Sequence, residues 1–231
     1  MANSTQTLVI SDIHLGSTLS SVEELMSLIR NTSFERIILL GDIFDGSHIR
    51  RFKKIDWQFL LYLQSLGKSG KEIVWVIGNH DLAAIKNIKK IKDIKFVESY
   101  YWQYRGNNYC AIHGHQFDHM AIKNPVIKKF TGNLHSIFAS YIRHKKTALF
   151  FAKAHTKVRR LSRKIADGAI DYAVKNNINY IFCGHTHMPL SCKVDLADKK
   201  QINYFNTGSW IQRPFSYVTI DEGGVKINEL A

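Results

Sequence analysis

Long apolar runs are missing from this 231-residue chain. No segment approaches the ~18 uncharged apolar residues that a membrane-spanning helix needs. Cysteines number 3, an odd and scattered set (Cys110, Cys183, Cys192), which excludes a disulfide-built scaffold and fits a reducing compartment. With 3 prolines and no low-complexity stretch there is no candidate linker, and a single domain over residues 1–231 is expected. The start, "MANSTQTLVISD", lacks a basic segment followed by an apolar one, so no secretory signal is expected and the location is read as cytoplasmic. Acids are scarce too. Asp and Glu total 19 against 32 Lys and Arg, a net charge of +13, which points to an anionic partner: nucleic acid, a membrane surface or a phosphorylated ligand.

What the chain does contain is alternation. "TLVIS" (7–11), "RIILLG" (36–41) and "EIVWVIG" (72–78) are apolar runs separated by helix-like stretches at 21–30 and 56–66. Strands alternating with helices predict βαβ units and a buried, mainly parallel sheet, hence an α/β fold. Later runs at 94–99, 100–106, 108–114, 179–184, 201–208, 215–221 and 225–230 read as a second sheet, with "GNN" (106–108) as a hairpin turn.

Residues 119–178 read differently. Ile127, Phe130, Leu134, Ile137 and Tyr141 recur at helical spacing, as do Phe150, Ala154, Val158, Leu161 and Ile165. Lys153, Lys157, Arg160 and Lys164 form a basic stripe beside the second set. From His119 to Ala166 there are 12 Lys and Arg and no acid. The expectation is a basic helical insertion, a cap on the domain, whose four aligned cations face a substrate phosphate or anionic lipid. A solvated face on a core-packed helix is the plainer alternative.

The chemistry sits where the apolar runs stop. "SDIHLG" supplies Asp12 and His14, "GDIFD" Asp42, "GNHD" Asn79, His80 and Asp81, "HGH" His113 and His115, and "CGHTHMP" His185 and His187. In an extended segment residues 185 and 187 point to the same side and could converge on one object. Any one fragment has an ordinary reading as a helix cap, a turn or a core histidine. Together they deliver Asp, Asn and His to the carboxyl rim of the sheet, where ligands of open α/β folds bind. Mixed oxygen and imidazole donors suit divalent Mn, Fe or Zn.

The ordered set D-x-H, G-D, G-N-H-D, H-G-x, G-H-T-H resembles the calcineurin-like metallophosphoesterases. That resemblance implies a four-layer α/β/β/α sandwich and two divalent metal ions, Mn²⁺ foremost. It implies Asp12, His14 and His187 on one ion, Asn79, His113 and His185 on the other, and Asp42 bridging both. His80, held by Asp81, would face the substrate phosphate. Two cations about 3.5–4 Å apart neutralise a phosphate and make water acidic enough to attack it near neutral pH.

Within the superfamily, "SDIHLG", "GDIFD", "HGHQFD" before a basic stretch, and "NTGSW" (206–210) are similar to UDP-2,3-diacylglucosamine pyrophosphatases. Such an enzyme would act on an anionic lipid-linked nucleotide sugar, as a peripheral protein on the inner face of the membrane. Two positions depart from the best-known members: His80 replaces an arginine, and His115 an acidic residue. A general phosphodiesterase or nuclease is therefore the alternative, and a metal-free scaffold a further one.

Overall fold

Along the first strand the side chains part alternately, Leu8 and Ile10 toward one core and Val9 toward another. The computed structural model describes residues 5–46, 49–82, 84–85, 92–119, 152–196 and 200–231. Strands β1 (Thr5–Ile10), β2 (Phe34–Leu40) and β3 (Glu72–Val76) run parallel. Helices α1 (Val22–Asn31) and α2 (Lys54–Lys68) connect them. The two-residue period persists through all three strands: Ile37, Leu39, Ile73 and Trp75 face the helices, while Ile38, Leu40, Val74 and Val76 face away. Burial on both faces is why these strands read as unbroken apolar runs. In α1, Val22, Leu25, Met26 and Ile29 form the buried stripe, with Glu23 and Glu24 at the positive end of the helix dipole and Arg30 at the other.

Next along the chain come β4 (Lys95–Val97), β5 (Ser99–Tyr104) and β6 (Asn107–Ile112). Then follow helix α3 (Ala152–Lys175) and strands β7 (Tyr180–Cys183), β8 (Leu190–Asp195), β9 (Gln201–Asn206), β10 (Phe215–Asp221) and β11 (Gly224–Leu230). Six strands form one sheet in the order β11-β10-β1-β2-β3-β4, and five form another in the order β5-β6-β7-β9-β8. The β5–β6 turn falls on Arg105 and Gly106, both left-handed (φ 49 and 75), one residue earlier than expected.

Three cores separate four layers. Helices α1 and α2 cover the six-stranded sheet, the sheets face each other, and α3 covers the five-stranded sheet through Ile165, Ala166, Ala169, Ile170 and Ala173. The middle core is aromatic: Tyr109 stacks on Tyr180 at 4.6 Å between ring centroids, and Phe182 on Phe205 at 5.4 Å. This is the expected α/β/β/α sandwich.

Its strand assignment differs from expectation. Strands β4, β10 and β11 belong to the first sheet. Strand β10 lies antiparallel to β1, Thr7 opposite Ile220 and Val9 opposite Val218, because Val218 and Ile220 fill the middle core while Phe215 fills the helix-side one. Of the expected insertion, residues 120–151, with the helix anticipated over 127–141, lie outside the described residues, as do the side chains of Lys153 and Lys157. From Leu161 on, α3 is the outer layer of the sandwich itself, with Arg160 and Lys164 exposed on it. Among the described residues no helix is long and apolar enough to cross a membrane.

Candidate metal centre

Five strand ends meet at one rim. Asp12 and His14 follow β1, Asp42 follows β2, Asn79 to Asp81 follow β3, His113 follows β6, and His185 and His187 follow β7. Backbone bonds tie the loops together: Asp12 N–H donates to the Gly41 carbonyl (3.0 Å), His14 N–H to that of Asp42 (3.1 Å), and Gly184 N–H to that of His113 (2.9 Å).

Three groups of donors result, and two of them hold the expected ligands. Asp12, His14 and His187 have ligand atoms within 4.8 Å of one another, and so do Asp42, His113 and His185. Residues 185 and 187 therefore do not converge on one object, as an extended segment would have them do. After β7 the backbone bends through left-handed conformations at both (φ 68 and 55), sending one ring to each group. Asp12, His14 and Asp42 are left-handed as well (φ 52, 52 and 50), so five of the eight non-glycine residues with positive φ among the described ones are candidate ligands. Such backbone costs free energy and gathers at functional sites.

The donor atoms suit cations. His113 Nδ1 lies 2.9 Å from the Leu40 carbonyl and must donate to it, so Nε2 keeps its lone pair. That fully buried Nε2 has no hydrogen-bond partner, yet it faces Asp42 Oδ2 at 3.3 Å. An acceptor facing an acceptor calls for a proton or a metal between them. Burial would push the His113 imidazole down, but Asp42 beside it holds it up at about 9. Asp42 responds inversely: burial raises it, and His113 outweighs burial and leaves it well below the carboxylate range. The first group repeats the pattern. His187 Nε2 lies 3.2 Å from Asp12 Oδ1 and 3.2 Å from His14 Nε2. Burial lowers His187 and raises Asp12, and the contact between them reverses both directions. His14, where burial prevails, is lowered.

Asn79 and His80 are exposed on the turn after β3. The His80 ring lies 5.3 Å from that of His14, and its backbone N–H donates to Asp42 Oδ1 (2.9 Å). Asp81 does not hold it, contrary to expectation. Fully buried, its oxygens accept the backbone N–H groups of Phe44 (3.0 Å) and Gly78 (2.9 Å) and the Trp75 indole N–H (3.2 Å). It braces the loop instead of the ring. Asp45 groups with His14 and His80 and lies 3.6 Å from His14 Nδ1. His115 is half-buried beside His113 and His185, and burial, then those two neighbours, pushes it down to about 4.

Several supporting residues carry no donor motif. Within "NTGSW", the Asn206 amide donates to the Gly184 carbonyl (2.7 Å) and the Thr207 hydroxyl to Ser11 (2.6 Å), clamping the loops that bear His185 and Asp12. Close approach demands glycine at several points of the rim, two of them against ligand carboxylates. A Cβ on Gly78 would lie 2.3 Å from Asp42 Oδ1, and one on Gly184 would lie 2.5 Å from Asp12 Oδ2. Gly184→Ala is accordingly expected to weaken binding of one metal equivalent about 10–100-fold, the cost typical of disturbing a ligand's support. Titration of the metal-free variant with Mn²⁺ checks this, and wild-type affinity would mean that the loop yields without moving Asp12.

The calcineurin-like phosphoesterase family model matches residues 5–189. Yfce, a phosphoesterase from E. coli, superposes with a TM-score of 0.54 at 18% identity over 97% of this chain and 96% of that one. An archaeal phosphodiesterase does so at 0.50 and 12%, covering 97% and 99%. A Vps29 double mutant from Entamoeba histolytica gives 0.50 and 12%, covering 97% of each chain. At these identities the likeness speaks for the fold. No curated protein matches the chain.

Proposed function

Because the chain belongs to the calcineurin-like phosphoesterase family, and so is a metal-dependent hydrolase of phosphoric esters, we propose that it cleaves a diester or pyrophosphate bond at two divalent cations. The observation that carries this reading is the pair of three-donor groups meeting at the rim. Asp12, His14 and His187 would hold one cation, and His113 and His185, with Asn79 from the adjoining turn, the other. Asp42 would serve both. Bound there, the cations would neutralise the phosphate and acidify water. His80 stands free of both groups' cores on an exposed turn, where its ring can donate to a phosphoryl oxygen or protonate the leaving group.

For the substrate, we propose a lipid-linked nucleotide sugar of the UDP-2,3-diacylglucosamine type, split into UMP and the sugar 1-phosphate, with Mn²⁺ as the metal. Support comes from the "HGHQFD" turn leading into the basic stretch and from the exposed Arg160 and Lys164, in line by sequence with Lys153 and Lys157. Basic side chains near an anionic bilayer contribute ~1 kcal/mol each, so four would sustain a peripheral, salt-sensitive attachment to the cytoplasmic face without a membrane span. His80 in place of arginine favours the second reading, a general phosphodiesterase or nuclease. The full donor set weighs against a metal-free scaffold.

A substrate panel decides. Mn²⁺-loaded protein is expected to release UMP from UDP-diacylglucosamine and to leave UDP-glucose, CDP-diacylglycerol and single-stranded DNA nearly untouched. Preferred cleavage of DNA would replace the lipid reading by the nuclease one. No turnover of any of the four, with no metal retained, would leave a scaffold.

A further inference from the structure

The turn that follows β6 carries a carboxylate outside both donor groups. Asp118 lies in the 3-10 turn His115–His119, and its Oδ2 is 3.0 Å from His185 Nε2. Both side chains are largely withdrawn from solvent, at 15% exposure for His185 and 28% for Asp118. An imidazole has two nitrogens, and the partner of one decides what the other can do. Since a carboxylate only accepts, Nε2 must carry the hydrogen, and the lone pair of the neutral ring falls on Nδ1. His113 shows the mirror arrangement, with Nδ1 committed to the Leu40 carbonyl and Nε2 left for the centre.

Charge leads to the same residue. Asp42, His113 and His185 bring a single negative charge to a divalent cation, and Asp42 is shared with the neighbouring group. Asp118 adds a carboxylate one imidazole removed. Its own position is well fixed. Phe117 beside it is buried against α3, where it meets Gly168 and packs on Tyr172, and the Phe117 N–H donates to the Gly114 carbonyl at 3.0 Å.

We propose that Asp118 is a positioning residue for the second cation. It locks His185 in the Nε2–H tautomer and presents Nδ1 as the ligand atom. It also links α3, through Phe117, to the centre. This rests on the two-cation reading above, and the test separates the two.

Metal-free wild type, Asp118→Ala and Asp118→Asn are each titrated with Mn²⁺ alone by calorimetry, and their metal-free melting temperatures compared. Wild type is expected to take two equivalents. Asp118→Ala should keep the first and bind the second about 10–100-fold more weakly, the usual cost of losing an outer partner of a ligating histidine. Asp118→Asn should recover part of that loss, because its amide oxygen still accepts from Nε2–H. Melting temperatures of the three metal-free proteins should agree. Wild-type affinity for both equivalents in Asp118→Ala would overturn the proposal. So would an equal loss of both equivalents, in both variants, with lowered melting temperatures, since that marks a residue of the fold. Fewer than two equivalents in wild type would remove the two-cation reading itself, and the role of Asp118 with it.

Discussion

Asp42→Ala should leave the protein with neither cation and with activity lowered at least ~10³-fold, since metal ions contribute several kcal/mol of charge stabilisation to phosphoryl transfer. The residue is 2% exposed, and its two oxygens are divided: Oδ1 accepts the His80 backbone N–H and Oδ2 faces His113 Nε2. Alanine removes the carboxylate placed to offset the repulsion between two dications and takes away the oxygen that His113 Nε2 faces. Asp42→Asn separates charge from packing, because the amide oxygen can still accept from His80 N–H while the negative charge is gone. Metal content by atomic emission and turnover of a soluble diester are the measurements. If Asp42→Ala still retains two tightly bound equivalents, the bridging role is wrong.

His80→Ala should do the opposite, keeping both cations and lowering kcat by ~10²–10⁴-fold, the range for loss of a general acid. What Asp42 receives from this residue is a backbone N–H, which alanine also provides, so the loop and the bridging carboxylate stay in place. Only the exposed ring is lost. The deficit should shrink for substrates with a good leaving group such as p-nitrophenolate, which needs no proton. Loss of a metal equivalent would instead make His80 a ligand, in company with Asp45 and His14, whose donor atoms lie within reach of it.

Much of this was legible in the sequence, for one physical reason: strands buried on both faces print themselves as apolar runs, and the donors stand where those runs stop. Strand β8 was missed because it is not a run. In "LSCKVD" only Leu190, Cys192 and Val194 face inward, and the polar residues between them dilute the signal of a strand at the sheet edge. Sheet membership of β10 and β11 was misjudged because nothing in a strand's own composition says which neighbour it pairs with. The divergence of His185 and His187 needed two left-handed residues, which histidine does not announce as glycine would. Asp45 and Asp118 sat inside the quoted motifs "GDIFD" and "HGHQFD" but gave no reason to single them out, since a residue that acts through a histidine has no spacing rule of its own. The resemblance put Asp81 on His80, but neighbouring residues on a turn need not send their side chains the same way, and Asp81 turns inward to Phe44, Trp75 and Gly78.

The left-handed turns at the rim also bear on how such a protein can change over generations. Outside glycine, the side chains that tolerate this backbone best are Asn, Asp and His, nearly the same small alphabet that divalent cations require. Selection for the turn and selection for the ligand thus reinforce each other, and most random replacements fail on both counts. Asparagine is the exception. Asp12→Asn or Asp42→Asn keeps a residue at home in the turn and discards a buried charge, so a lineage could step away from hydrolysis without losing its shape. An architecture of this kind can be retired from chemistry while remaining available for other work.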